Sequence, residues 1–218
     1  MTSSRGSAAL RPRARAPRGE GSKLRELILD AAERLLAQTG DEDAVSIRAI
    51  ARAVGVTPPS IYLHFADKES LILEVCERRF ADFDAAVQRA GATTNDPIET
   101  HRRRARAYVR FGIENPEQYR ILFMGKHTPP AEQSAGTAPG RAAFEHLVET
   151  VRESIDAGAF RRDLDPFIVA IGLWTAIHGL TSALISLPAF PWPDVDTLVT
   201  HLCNTQLRGL AASRKDQP

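Results

Sequence analysis

The sequence predicts an all-α protein: an N-terminal three-helix helix-turn-helix domain followed by a C-terminal helical bundle. Three observations carry this. Apolar residues recur at spacings of three and four in one segment after another, which places them on one helix face. The stretch from Ser46 to Lys68, SIRAIARAVGVTPPSIYLHFADK, holds two short helical patterns joined by a glycine-containing turn. From Pro166 to Pro193 there is no Asp, Glu, Lys or Arg, and the run up to Pro188 is long enough for a helix that needs cover on most of its sides. At 218 residues, 43% hydrophobic and 25% charged, the chain is an ordinary globular sequence with material for a real core.

Residues 1–22 are rich in Arg, Pro, Ser and Gly, which predicts a disordered basic arm. Residues 1–25 hold seven basic side chains against Glu20 alone, so the formal net charge of +1 conceals a positive start and a net acidic remainder. Such an arm either adds non-specific affinity for phosphates or is a solvated extension. It lacks the hydrophobic segment of a secretory signal, which predicts a cytoplasmic protein.

Leu24, Leu27, Ile28, Ala31, Ala32, Leu35 and Leu36 then mark an amphipathic helix that ends at Gly40. In the next segment Ile47, Ile50, Ala51 and Val54 share a face, Ser46 is placed to cap it, and Gly55 follows the last apolar position, where the chain turns left-handed. Thr57 is placed to cap a second short helix with Pro58 at its first position. With Ile61 and Phe65 inward, Pro59, Ser60, Tyr62, Leu63 and His64 face out. The segment 23–67 therefore reads as a DNA-binding unit whose second short helix enters a major groove.

Gly55-Val56-Thr57, Ser60-Ile61-Tyr62-Leu63-His64-Phe65 and Lys68-Glu69-Ser70-Leu71 resemble the DNA-binding signature of TetR-type (tetracycline-repressor-like) bacterial transcriptional regulators. The resemblance is most specific over Leu24 to Leu73. It implies that Ser46 and Arg48 contact phosphates, that Thr57, Pro58, Ser60, Tyr62 and His64 line the recognition helix, and that Lys68 clamps a further phosphate. Pro58-Pro59 departs from the commoner pattern and removes one hydrogen-bonding side chain, so base preference does not carry over.

Residues 68–213 read as an effector-binding and dimerisation domain, with a tail at 214–218. Asp67 is placed to cap a long helix carrying Ile72, Val75, Cys76, Phe80, Phe83 and Val87, a lever between reader and bundle. The next helix, Pro97 to Glu114, carries Ile98, Ala105, Tyr108, Val109 and Gly112 on one face. Its Arg102, Arg103, Arg104, Arg106 and Arg110 read as a solvated face, with a second nucleic-acid patch as the alternative. A short helix follows Asn115-Pro116, then a Pro/Gly-rich loop from Thr128 to Gly140, then a helix from Arg141 to Ala157.

The uncharged run starts at Asp165-Pro166 and raises the question of a membrane span. Thr175, His178, Thr181, Ser182 and Ser186 interrupt it, and burial partly against a twofold partner accounts for it better. Asp194 is placed to cap a last helix. The TetR resemblance implies a homodimer through these two helices, at about 166–187 and 194–211, and twofold symmetry implies a palindromic operator.

Trp174 to Gly179 resembles the Trp-x-x-x-His-Gly motif that marks one subgroup of TetR-type C-terminal domains. Trp174 and His178 share a helix face, either as core or as the border of a cavity with Phe83, Tyr108, Phe111, Tyr119, Phe123 and Phe144. Aromatic walls of this kind suit an apolar or amphipathic small molecule. The six histidines show no paired metal-ligand spacing, and no phosphate loop or nucleophile elbow is present, so neither an enzyme nor a cofactor is expected. The sequence predicts a DNA-binding regulator, a repressor released by such an effector. The alternative is a helical small-molecule sensor without operator binding, against which Arg48, Tyr62, His64 and Lys68 speak.

Overall fold

The computed structural model describes residues 20–124 and 140–212. Residues 1–19 of the predicted arm, the loop from Thr128 to Pro139 and the tail at 214–218 lie outside the described residues, whereas residues 20–22, expected in the disordered arm, already belong to the first helix. Within them the chain forms α1 (Glu20–Thr39), α2 (Ile47–Val54), α3 (Pro58–Ile61), α4 (Lys68–Gly91), α5 (Pro97–Glu114), α6 (Pro116–Met124), α7 (Arg141–Asp156), α8 (Pro166–Ser186) and α9 (Val195–Leu210).

Local chemistry sets most of these boundaries. The Ser46 hydroxyl accepts from the Ala49 amide at the start of α2, and Gly55 ends that helix with φ 78°. Asp67 and Ser70 form a reciprocal capping box on α4, which holds the Asp67 carboxyl below its usual range. Asp165 accepts from the amides of Phe167 and Ile168, and Asp194 from that of Thr197. Thr57 corrects the expectation: its backbone takes the cap conformation, but its hydroxyl pairs with the Ser60 hydroxyl at 3.0 Å instead of capping an amide.

Two apolar cores result. The first gathers Ile28, Leu29 and Leu36 of α1, Ile50 of α2, Ile61, Phe65, and Leu71, Ile72, Val75 and Cys76 of α4. Leu27, expected on the buried face of α1, is 54% exposed, and Leu29 takes its place. The second core joins Phe80 and Phe83 of α4 to Tyr108, Val109, Tyr119, Val151, Ile177, Val199 and Leu207. α4 therefore belongs to both cores. Its first three turns are also tied to α1 by ion pairs: Arg25 with Glu74, Arg78 with Asp30 at 2.8 Å, and Arg79 with Glu33 at 2.5 Å. Cys76 and Cys203 are buried free thiols, and burial pushes the Cys76 thiol up to about 12, where it stays protonated.

The arginines of α5 are not a solvated face. Arg102 donates to Asn204 at 2.9 Å and Arg106 to Thr200 at 3.2 Å, fastening α5 to α9. Arg104 reaches Thr150 of α7 and Gln88 of α4, and only Arg110 is exposed. α8 is long and apolar enough to cross a membrane. One face of it, Val169, Ala170, Ile177, Thr181 and Ile185, packs into the second core. Part of the remainder is open within the protomer: Ile168 is 68% exposed, and Ile171, Gly172, Thr175, Gly179 and Ser186 are exposed as well.

Candidate nucleic-acid interface and effector cavity

The reader surface follows from two buried anchors. Ile61 and Phe65, four residues apart, hold α3 and the turn after it against the first core, with the Phe65 amide bonded to the Ile61 carbonyl at 3.1 Å. The regular helix is shorter than the spacing suggests, four residues, and hydrogen-bonded turns carry its trace to Phe65. That geometry turns Tyr62, 53% exposed, and Leu63, 83% exposed, away from the core. Thr57 and Pro59 are exposed, while Pro58, Ser60 and His64 are half-buried on the flanks. Ser46 and Arg48 lie exposed at the first turn of α2.

Lys68 is partly engaged. Its ammonium donates to the Glu42 carbonyl at 2.5 Å and so ties the start of α4 to the loop before α2. A lysine has three donors, so this bond leaves capacity for a phosphate. Leu63 was not among the expected contacts, yet it is the most exposed large apolar side chain among the described residues. The sequence marked it as outward-facing and gave no reason to single it out.

The second core contains a cavity of about 510 Å³. Of the eight residues expected there, Phe83, Tyr108, Phe123, Phe144 and Trp174 line it. Phe111, Tyr119 and His178 do not. Phe111 packs behind Phe83, their rings 5.1 Å apart. Tyr119 is fully buried, and its hydroxyl bonds His178 Nδ1 at 2.6 Å, with Tyr108 completing the group at 3.2 Å from the same nitrogen. Burial holds the His178 imidazole toward its neutral form and raises both phenols, so this cluster is an uncharged polar knot behind the cavity wall.

Sequence reasoning missed every polar residue of the wall, Asp84, Gln88, His101, Arg104, Arg141 and Gln206, as well as apolar ones such as Phe80 and Leu147. Their spacing offered a signal in hindsight. His101, Arg104, Ala105 and Tyr108 fall at i, i+3, i+4 and i+7, on one face of α5. His101 is buried, 3.0 Å from the Ser154 hydroxyl and stacked on Phe160, and desolvation brings it down to about 4, so it is neutral at physiological pH. Among the described residues no cluster of His, Cys, Asp and Glu could hold a metal ion.

Comparison with known proteins agrees with this architecture. The family described as "Bacterial regulatory proteins, tetR family" matches residues 28–75, and "Tetracyclin repressor-like, C-terminal domain" matches residues 102–205, so the two together span more than half of the chain. The chain belongs to the TetR family. As a TetR-family protein it is a DNA-binding transcriptional regulator and not an enzyme. Among its TetR-family relatives, the HTH-type transcriptional repressor AcnR of Corynebacterium glutamicum is 29% identical over 168 residues, 73% of this chain and 81% of that protein. The uncharacterized HTH-type transcriptional regulator YobS of Bacillus subtilis is 25% identical over 197 residues, 88% of this chain and 94% of the relative. A solved structure from Rhodococcus sp. RHA1, of a protein with unknown function, superposes with a TM-score of 0.75 at 29% identity, covering 90% of this chain and all of that one.

Proposed function

We propose that this TetR-family regulator is a cytoplasmic homodimeric repressor that leaves a palindromic operator when a small apolar or amphipathic effector fills the 510 Å³ cavity. One observation carries the proposal: α4 walls the cavity from Phe80 to Gln88, while the earlier turns of the same helix are buried in the reader's core and ion-paired to α1. A ligand that favours one seating of the second half of α4 therefore biases the tilt of the reader, a two-position element of the kind that couples distant sites.

In this reading Thr57, Pro58, Ser60, Tyr62 and His64 face base edges, Leu63 adds an apolar contact of the kind a thymine methyl offers, and Ser46, Arg48 and Lys68 bind phosphates. The open side of α8 and the outer side of α9 meet their copies across a twofold axis. The relative AcnR, named a repressor, supports the sign of regulation.

The coupling has a direct test. Compounds from a lipophilic library that raise the melting temperature of the purified protein should weaken its operator binding about five- to 150-fold, the range of a typical coupling free energy. If stabilising compounds that enter the cavity leave operator affinity unchanged, the release mechanism is wrong.

A further inference from the structure

We infer that the cavity is built for an amphipathic anion, a carboxylate-headed molecule whose head group pairs with Arg104 and whose apolar body lies among the aromatic rings. This rests on the cavity's being the effector site.

The cavity is polar at one end and aromatic at the other. α4 and α5 run antiparallel, so Gln88 lies against Arg104, with Gln88 Oε1 accepting from Arg104 Nη2 at 2.6 Å. At the opposite end Phe83 meets Tyr108 at 5.1 Å and Phe123 at 5.7 Å between ring centroids. The wall supplied by α5, from His101 to Tyr108, runs about 10 Å at the ordinary helical rise.

Arg104 differs from its neighbours. Arg102, Arg103 and Arg106 all lie within 4 Å of the Glu99 carboxylate. Arg104 has no carboxylate within salt-bridge distance among the described residues. Its Nη1 donates to the Thr150 hydroxyl, and its Nε is sealed from solvent without any hydrogen-bond partner. A Cβ at residue 91 would collide with this side chain, so Gly91 is what lets the guanidinium pass the α4 backbone. Drawing a cation out of water is costly, and burial lowers its pKa against the opposing pull of the Glu153 and Asp84 carboxylates, neither of which comes within salt-bridge distance of it.

The one acidic group on the cavity wall among the described residues is already engaged. Asp84 Oδ2 lies 2.7 Å from His146 Nδ1, and Oδ1 accepts from Gln88 Nε2 at 3.2 Å. That second bond fixes the Gln88 amide with its oxygen toward Arg104. The neutral His101 nearby adds no competing charge. A carboxylate is the ligand group that offers this guanidinium a counter-charge and acceptors, and such charge-assisted pairs are about twice as strong as neutral hydrogen bonds.

The test uses three probes that share one tail: decanoate, 1-decanol and decylammonium, titrated into the full chain below their aggregation concentrations. Decanoate should bind about 10- to 100-fold more tightly than 1-decanol, as a charged hydrogen bond implies, and decylammonium most weakly. Arg104→Met should reduce decanoate to the affinity of 1-decanol, and Arg104→Lys should keep part of the preference. Equal or tighter binding of 1-decanol by the wild type overturns the anion assignment and leaves the effector site standing. Binding of none of the three overturns both. The wild-type comparison decides the matter even if Arg104→Met does not fold.

Discussion

Tyr62→Ala should abolish operator-specific binding while leaving the dimer and its thermal stability intact. The Tyr62 side chain is 53% exposed at the end of α3 and takes no part in either core, so its truncation falls in the surface class that changes folding stability by about 0.5 kcal/mol or less. A side chain that reads a base edge contributes about 1–3 kcal/mol of discrimination, and a dimer loses that twice. A loss of about 2–6 kcal/mol removes much of the interval that separates specific from non-specific affinity. Non-specific, salt-sensitive binding should remain, because Arg48 and Lys68 are untouched. Titration of the operator and of an unrelated duplex side by side gives the answer. A variant that binds its operator normally would mean that α3 is not the recognition helix.

A second large effect concerns the open side of α8. Thr175→Arg places a charge between Gly172 and Gly179, where an added Cβ would meet no heavy atom within 4 Å, so the protomer accommodates it without repacking. In the homodimer proposed through α8, the same side chain would lie in the contact between the two copies. An uncompensated buried charge costs about 3–5 kcal/mol, enough to separate the protomers at micromolar concentration. Operator binding should fall with it, because one reading head alone makes half of the contacts. Sedimentation of both proteins decides this: a dimeric variant, or a monomeric wild type, contradicts the interface.

The reader was legible in the sequence because its information is local. Ser46, Gly55, Asp67, Asp165 and Asp194 act through their own backbone, and the structure shows each at the helix end where spacing put it. Thr57 was a partial exception, since a hydroxyl can choose a side-chain partner over an amide. What depends on distant neighbours was not legible. Arg102, Arg104 and Arg106 look like solvated charges along α5, yet their partners Asn204, Thr150 and Thr200 lie far along the chain. For the same reason the aromatic count suggested a cavity but not which rings face it. Tyr119 and His178 satisfy each other behind the wall, and a polar end of the cavity appeared only when α4, α5 and α7 were set side by side. The uncharged helix was expected to be covered on most sides, in part by a partner, and within the protomer it keeps an open stripe at Ile168, Ile171 and Thr175.

In the proposed homodimer, Ser46 to Lys68 is one half of a paired DNA reader. The measurement that tests it most directly is an unbiased selection of duplexes bound by the full-length chain, followed by footprinting of the enriched sites. A paired reader should select a twofold-symmetric motif whose half-sites lie one helical turn or a multiple of it apart, roughly 34–36 Å centre to centre per turn, bound with an affinity that falls linearly in log–log form as salt rises. Failure to enrich any sequence, or enrichment of a single asymmetric half-site, would contradict it.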